Sequence, residues 1–157
     1  MALLIGRFVN KIDAKGRISV PKAFRDSLSV QNSDFAGVYA FPHFKAAAIE
    51  LCGESFMQQL TDRIDNLDMF SDARDDLTSI LLESAHPLPF DPEGRITLPK
   101  ELISHAHLDK EALIVGRSKS FLIWEPTLYK EHRALAFERA RTTGATLKLR
   151  TPQEVAP

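Results

Sequence analysis

A ten-residue motif with an arginine at its fifth position occurs twice in this chain of 157 residues. The first copy, residues 13–22, reads DAKGRISVPK, and the second copy, residues 91–100, reads DPEGRITLPK. Six of the ten positions are identical, including the arginines Arg17 and Arg95. The planar guanidinium of arginine can donate two parallel hydrogen bonds to guanine O6 and N7 or to a phosphate. An arginine in such a motif can therefore contact nucleic acid.

The first copy carries more positive charge than the second. Its neighbourhood holds three lysines, which are the expected phosphate contacts: Lys11, Lys15 and Lys22. In the second copy Glu93 replaces the lysine at the tip, and the charged side chains of the motif sum to zero instead of +2. Lys100, which ends this copy, is a further expected DNA contact. We therefore expect the first motif to make most of the DNA contacts, with Arg95 either supporting it or serving the structure.

Both arginines also have an alternative role that is purely structural. Each follows an aspartate by four residues, Asp13 before Arg17 and Asp91 before Arg95. Each pair can form a local ion pair that stiffens the turn without contacting any ligand. The sequence leaves both roles open.

The residues before each arginine predict a tight turn between two strands. An aspartate at the first turn position can accept hydrogen bonds from backbone N–H groups ahead of it, and a glycine at the last position tolerates a positive φ. Alternating polar and apolar residues after the turn predict a half-buried strand, which a proline then ends at the start of a short helix. Each copy is therefore predicted to be a hairpin leading into a helix. The residues with these structural roles are Asp13, Gly16, Pro21, Asp91, Gly94 and Pro99.

The repeat extends beyond the motif. The two copies begin 78 residues apart (91 − 13), and the apolar segments downstream align with an offset of 74, which matches Ile49 to Ile123. In a duplication of a small β-rich unit, each half exposes an apolar face that the other half covers, so we expect one pseudo-symmetric domain. The predicted divisions are a first unit over 3–54, connecting helices over 55–85, a second unit over 86–126, a C-terminal helix over 127–141 and a tail over 142–157.

The segment between the copies has the apolar spacing of helices. Ser55 followed by Gln58 is a capping-box pattern, which predicts the start of a first helix. Ser71 is the expected cap of a second helical segment. Pro126 opens the matching helix after the second unit, and from about Thr142 the helical pattern fades into a predicted frayed tail.

Composition and charge restrict the class of protein. The net charge is −1, but residues 1–30 carry +4, residues 50–76 carry −6 and residues 117–150 carry +5, a pattern that can separate a phosphate-facing surface from the others. The apolar runs are too short for a membrane span or a secretory signal. The single cysteine, Cys52, is interpreted as a buried apolar residue in a reducing compartment. We expect a soluble cytosolic protein without a membrane partner.

Motifs for catalysis or cofactor binding are not found. The sequence has no GxSxG, GxGxxG, P-loop or HExxH pattern. His105 and His107 are two residues apart on a predicted helix end and point away from each other, and the carboxylates of Asp72, Asp75 and Asp76 have no companion base. No enzyme activity, small-molecule substrate, cofactor or metal is therefore predicted.

With these paired motifs the sequence resembles the MraZ family of bacterial transcriptional regulators. The resemblance rests on two D-x-x-G-R motifs, each followed by proline, a β-hairpin sequence and a long helix, and it covers roughly residues 3–141. The units of that family are similar to the AbrB-like swapped-hairpin fold. The resemblance implies an α+β fold with a mainly β core, in which two tandem swapped-hairpin units form a pseudo-symmetric double-split β-barrel with flanking helices.

The resemblance also implies a function. A member of this family is expected to be a cytoplasmic, nucleoid-associated repressor that assembles into a ring-shaped homo-oligomer. It would bind G-rich direct repeats in double-stranded DNA through its DxxGR hairpins, and would repress the division and cell-wall gene cluster together with its own gene. A different class stays open, namely a ring-forming scaffold or an antitoxin-like protein-interaction module, and either would tolerate the loss of Arg17.

Overall fold

The computed structural model of the protein describes residues 3–147. Short strands alternate with helices along the chain. The strands are β1 Arg7–Lys11, β2 Arg17–Ser19, β3 Gly37–Pro42, β4 Ala48–Cys52, β5 His86–Pro89, β6 Arg95–Thr97, β7 Glu111–Gly116 and β8 Ser120–Trp124. The helices are α1 Lys22–Gln31, α2 Glu54–Asp65, α3 Asp72–Leu77 with a π-helical turn Thr78–Leu82 after it, α4 Lys100–His105 and α5 Pro126–Thr143.

The strands form two antiparallel sheets in which the repeats exchange strands. The order in the six-stranded sheet is β1-β7-β8-β4-β3-β5, while β2 and β6 pair as a separate two-stranded ribbon. The first strand of each repeat lies at a sheet edge and pairs with a strand of the other repeat, β1 with β7 and β5 with β3. The predicted α+β class is confirmed, and the named strands of both sheets pair in the antiparallel sense.

The strand registers relate the two repeats by a pseudo-twofold axis. In the β2–β6 ribbon Ile18 lies opposite Ile96, and these residues are 78 positions apart (96 − 18). At the centre of the large sheet, β4 pairs with β8 so that Ile49 lies opposite Ile123, 74 positions apart (123 − 49). These separations are the two offsets of the sequence repeat, so equivalent residues of the two halves face each other across the axis.

The pairing predicted for the strands beside each motif was wrong. These strands were expected to pair with each other as a hairpin, but β1 pairs with β7 and β2 pairs with β6. A backbone hydrogen bond of 3.1 Å joins Asp13 N–H to Arg17 C=O across the first turn, and the ladder then continues with other partners. Each flank carries apolar side chains that need cover, and the strands of the other repeat supply it.

The main core lies between the six-stranded sheet and the β2–β6 ribbon. Ile18 and Ile96 of the ribbon are each 1% exposed and belong to the same buried cluster as Ile49, Ile114 and Ile123 of the sheet. Side chains alternate between the two faces of a strand, so the residues on either side of Ile18 in β2 and of Ile96 in β6 point away from the core. The ribbon therefore has one buried face and one outer face.

A second, smaller cluster covers the other side of the large sheet. Leu122 and Trp124 of β8 pack there with Leu128 and Tyr129 of α5. The sheet consequently separates the ribbon from α5. Cys52, on β4, is fully buried, and burial raises the pKa of its thiol to about 12, so its predicted role as a small core residue is confirmed.

The helix starts agree with the sequence in most cases. Pro21 and Pro99 are the N-cap residues of α1 and α4, one position before the predicted first helical turn. Pro126 is the first residue of α5, and Glu125 caps that helix by accepting the Leu128 N–H at 2.9 Å. Proline suits these positions because it has no N–H for a helical hydrogen bond.

Helix α2 begins without the predicted capping box. Ser55 lies inside the helix, and the residue before the helix makes no side-chain cap. Instead, Asn32 Oδ1 accepts the backbone N–H of Glu54 at 2.7 Å, so the cap comes from the end of α1. By contrast, Ser71 caps α3 as predicted, since its Oγ accepts the Arg74 N–H at 3.2 Å.

Helix α5 is the longest helix of the described chain. It ends at Thr143, where Gly144 is its C-cap. The predicted tail over 142–157 begins within the last turn of this helix, and residues 148–157 lie outside the described residues. In the part of the chain from 3 to 147, no helix combines the length and the apolar character of a membrane span.

Candidate nucleic-acid interface

The β2–β6 ribbon brings both motif arginines to one outer surface. The register places Arg17 opposite Thr97 and Arg95 opposite Ser19. These four side chains share the outer face, because the isoleucine between them on each strand is buried in the core. Arg17 and Arg95 are diagonal neighbours, a relation that separates side chains by roughly 7–8 Å in antiparallel strands.

The first DxxGR turn, residues 13–17, is held by its aspartate and its glycine. Asp13 Oδ1 accepts the backbone N–H groups of Lys15 at 3.0 Å and of Arg17 at 2.9 Å. Gly16 has a φ of +80°, and a Cβ at this position would lie 3.1 Å from the carbonyl oxygen of Leu98. Both the positive φ and the close backbone favour glycine. The turn predicted from the sequence is therefore confirmed.

The second DxxGR turn, residues 91–95, has the same backbone design. Asp91 Oδ1 accepts the N–H groups of Glu93 at 2.9 Å and of Arg95 at 2.8 Å. Gly94 has a φ of +77°, and a Cβ there would lie 2.5 Å from Cζ of Arg25. The two turns thus share their hydrogen bonds but meet different neighbours.

Each turn is also anchored by the other repeat. The carbonyl of Gly16 accepts the Leu98 N–H at 2.8 Å, and the carbonyl of Gly94 accepts the Val20 N–H at 3.1 Å. These bonds extend the ribbon ladder by one bond at each end. Because β2 and β6 are antiparallel, the two turns lie at opposite ends of the ribbon, and each is hydrogen-bonded to it.

Arg17 and Arg95 differ in the number of carboxylates that they contact. Arg17 Nε donates to Asp13 Oδ2 at 2.6 Å. Arg95 Nε donates to Asp91 Oδ2 at 2.8 Å, and its Nη2 lies 2.7 Å from Glu93 Oε2. Within residues 3–147, Arg17 has one acidic partner and Arg95 has two. The local ion pairs of the structural alternative are present in both turns, but they neutralise Arg95 more completely.

The turn hydrogen bonds shift the pKa of both aspartates. The backbone N–H of Arg17 is the main cause that lowers the pKa of the Asp13 carboxyl, and the guanidinium contributes further. Arg95 lowers the pKa of Asp91 in the same way. The Asp91 side chain in turn raises the pKa of the Arg95 guanidinium. Both carboxylates are therefore ionised at neutral pH and orient charged arginines.

The predicted lysines are distributed around the ribbon rather than gathered at one point. Lys15 is exposed at the tip of the first turn, and Lys11 is exposed at the end of β1. Lys22 is the first residue of α1 and pairs with Asp26 at 3.2 Å. Lys100 is the exposed first residue of α4. Of these lysines, Lys15 belongs to the same turn as a motif arginine.

Arg25 contacts the second DxxGR turn, and a comparison of the two motifs does not predict this contact. Its Nε donates to Val20 C=O at 3.1 Å, and its guanidinium lies against Gly94. The equivalent residue of the second repeat is Ile103, whose Cδ1 lies 3.3 Å from the place of a Cβ at Gly16. A cation therefore packs against the second turn and an apolar side chain against the first. No local pattern reveals this contact, because it joins residues of different repeats.

The histidines considered as ligands lie in unrelated surroundings. His105 Nε2 is 3.2 Å from the carbonyl oxygen of His43 and 3.1 Å from that of Ala46, so it hydrogen-bonds a loop. His107 lies just after α4 with a φ of 53°. Over residues 3–147, no three side chains of His, Cys, Asp or Glu converge as a metal site would require.

Comparison with known proteins extends the sequence resemblance. The model of a family described as "MraZ protein, putative antitoxin-like" matches residues 81–149. The Transcriptional regulator MraZ of Pelagibacter ubique (strain HTCC1062) is 37% identical over 146 residues, covering 93% of each chain. The protein of the same name from Rickettsia bellii (strain OSU 85-389) is 36% identical over 149 residues, covering 94% of this chain and 98% of its own. With such identity over nearly its whole length, the chain belongs to the MraZ family.

Proposed function

We propose that this protein is a DNA-binding transcriptional regulator. The relatives that match it from end to end are named transcriptional regulators, which supports the regulatory role. In the fuller form of the proposal, it is a cytoplasmic, nucleoid-associated repressor. It binds short G-rich direct repeats upstream of the division and cell-wall gene cluster and represses that cluster together with its own gene.

The observation that carries the proposal is the outer face of the β2–β6 ribbon. A two-stranded antiparallel ribbon fits the major groove of B-DNA, where arginine reads guanine through O6 and N7. The ribbon places Arg17 and Arg95 on its outer face, and their aspartate partners fix the direction of each guanidinium. Arg17, with its one carboxylate partner, is the principal reading residue in this proposal.

The phosphate contacts are assigned by charge. Lys15 at the tip of the first turn is the nearest lysine in sequence to Arg17, and Lys11, Lys22 and Lys100 are the further proposed contacts. Lysine contacts to phosphate supply affinity that falls steeply with salt but carry no sequence information. Arg95, paired with two carboxylates, supports the ribbon and contributes less to binding.

The proposed assembly is a ring-shaped homo-oligomer of pseudo-symmetric subunits. One ribbon offers few base contacts, whereas repeated ribbons on a direct-repeat operator gain from a high effective concentration. We further propose that the sheet and the ribbon form the double-split β-barrel of two swapped-hairpin units over 3–54 and 86–126. The exchange of β1 and β5 between the repeats supports this interpretation.

The test is fluorescence anisotropy with duplex DNA from upstream of the protein's own gene, compared with a scrambled duplex over a salt series. The wild type is expected to prefer its own upstream DNA and to weaken steeply with salt. Arg17→Ala is expected to lose this preference while remaining folded. Arg63→Ala, which removes an exposed arginine of α2 far from the motif in sequence, is the matched control and is expected to bind as the wild type does.

A second candidate is a protein-interaction module, either a ring-forming scaffold or an antitoxin-like protein. The local pairs of Arg17 with Asp13 and Arg95 with Asp91 favour it, because they give both arginines a structural role without DNA. This candidate predicts no preference for the upstream duplex and no effect of Arg17→Ala. That combination of results would overturn the DNA-binding proposal and support the interaction module.

A further inference from the structure

A basic cleft lies on the side of the six-stranded sheet that faces away from the ribbon. Its volume is about 610 Å³, and it is bounded by the β3–β4 loop, the β7–β8 turn and helix α5. Leu122 and Trp124 of β8 form its floor and belong to the smaller apolar cluster, whereas Ile123 between them belongs to the main core. The cleft and the DxxGR turns are therefore separate features on opposite sides of the sheet.

The walls of the cleft carry positive charge from all three bounding segments. The lining residues include three permanent cations, Lys45, Arg117 and Arg139, and no aspartate or glutamate. Within residues 3–147, none of the three lies within 4.0 Å of a carboxylate oxygen, in contrast to the motif arginines. Unneutralised cations around one concavity produce a local positive potential, which favours an anionic ligand.

Two histidines line the cleft, and their surroundings shift the pKa of both imidazoles. Burial is the main cause that lowers the pKa of His43 and also that of His132. The charged groups facing them are Glu50, Arg117, His132 and Lys45 around His43, and Arg139 and Arg117 around His132. Glu50 opposes the lowering at His43, and the cations add to it at both sites. An anion in the cleft favours the protonated imidazoles, so its binding should tighten as pH falls.

We propose that this cleft binds a phosphate-bearing ligand with at least two negative charges. Arginine suits phosphate because its planar fork donates paired hydrogen bonds, and Lys45 adds a point charge. Within the described part of the chain, the cleft floor has no free aromatic face on which a nucleobase could stack. Trp124 is only 4% exposed, and the ring of His132 lies 4.7 Å from the Trp124 ring. The phosphate is presented either by a free phosphorylated small molecule or by a nucleic-acid backbone.

The test uses Trp124, which is the single tryptophan of the chain and lies in the cleft floor. The full-length protein is titrated with inorganic pyrophosphate while tryptophan fluorescence and the heat of binding are followed. We expect a saturable signal that is stronger at pH 6 than at pH 8. The double variant Arg117→Gln and Arg139→Gln should bind at least about tenfold more weakly, as expected when charge-assisted hydrogen bonds are lost.

The matched control is Arg133→Gln, which removes an exposed arginine of the same helix α5 that does not line the cleft. It should bind pyrophosphate as the wild type does. Thermal unfolding of each variant checks that the fold is retained. If non-specific duplex DNA displaces pyrophosphate, the nucleic-acid backbone is the source of the phosphate. If it does not, the ligand is a free phosphorylated small molecule.

Three outcomes would overturn the proposal. The first is the absence of a saturable signal in both fluorescence and calorimetry. The second is unchanged pyrophosphate binding in the double variant, which would locate the bound anion elsewhere. The third is loss of self-association in the double variant without any pyrophosphate binding by the wild type. That result would make the cleft a carboxylate-binding interface between copies of the chain.

Discussion

The first DxxGR turn has Lys15 at its tip and Ile103 packed against its glycine, whereas the second has Glu93 at its tip and Arg25 packed against its glycine. Both turns nevertheless keep the same two hydrogen bonds from backbone N–H groups to the aspartate and the same positive φ at glycine. Turn geometry and surface charge are therefore determined by different residues, because the backbone geometry is shared by the two turns while their charge and packing neighbours differ.

The charges around the second turn balance locally. Asp91 and Glu93 face Arg95, and Arg25 lines the same cavity as Asp91, so both signs of charge meet there. In the first turn Asp13 pairs with Arg17, and among the described residues 3–147 no carboxylate forms an ion pair with Lys15. A phosphate backbone should favour the first end of the ribbon over the second.

Removal of the arginines should produce the largest difference between the two turns. Arg17→Ala is expected to weaken binding to the upstream duplex by about 1–3 kcal/mol, the range for losing an arginine that reads guanine. Arg95→Ala should cost less, because its guanidinium is already paired with Asp91 and Glu93. Anisotropy titrations of both variants at one salt concentration give the comparison. Equal losses would show that the two ends of the ribbon contribute alike.

The turn glycines provide the next largest effect, on stability rather than on binding. Gly16→Ala and Gly94→Ala each place a Cβ at positive φ, which costs roughly 1–2 kcal/mol. The neighbours differ, since the new Cβ meets the backbone of Leu98 in the first turn and the movable guanidinium of Arg25 in the second. Adding Arg25→Ala should recover part of the loss in Gly94→Ala and none in Gly16→Ala. Urea denaturation of single and double variants measures this coupling.

Much of the two DxxGR turns and of the ribbon between them could be predicted from the sequence, because the residues that determine them are local. The aspartate and glycine of each turn act within four residues, and the two turns formed as expected. The offsets of 78 and 74 in the repeat reappear as the pairs Ile18 with Ile96 and Ile49 with Ile123. Local chemistry and internal symmetry were therefore sufficient for the turns and the centre of each sheet.

The remaining features depend on contacts between distant parts of the chain. The strand beside each turn pairs with the other repeat, and its alternating pattern does not specify which strand covers it. The cap of α2 comes from Asn32 and not from Ser55, because the end of α1 lies against the start of that helix. The contact of Arg25 with Gly94 joins the two repeats. Such contacts have no signature in spacing or composition.

Exchange of the tip charges should give a smaller effect that tests the comparison directly. Glu93→Lys removes one carboxylate partner of Arg95 and adds a cation, so DNA affinity should rise a few-fold. The slope of the logarithm of the binding constant against the logarithm of the salt concentration should become steeper by the equivalent of about one phosphate contact. Lys15→Glu should change both quantities in the opposite direction. Anisotropy over a salt series measures the two slopes. Unchanged slopes in both variants would place the tips outside the DNA interface.

The smallest expected effect concerns acid stability, in which the two turns should be alike. The folded-state pKa of Asp13 and of Asp91 is lowered below the ordinary value of 3.8, chiefly by the backbone N–H groups of Arg17 and Arg95. A lowered carboxyl pKa contributes stability that is fully present above the unfolded pKa and is lost as pH falls through the folded pKa. Asp13→Asn and Asp91→Asn keep an oxygen that can accept the turn hydrogen bonds but remove the titration. Each variant should therefore lose less stability than the wild type between pH 6 and pH 2.5, measured by urea midpoints. A much larger change for Asp91→Asn would mean that Glu93 and Arg25, rather than the shared backbone bonds, control the charge of the second turn.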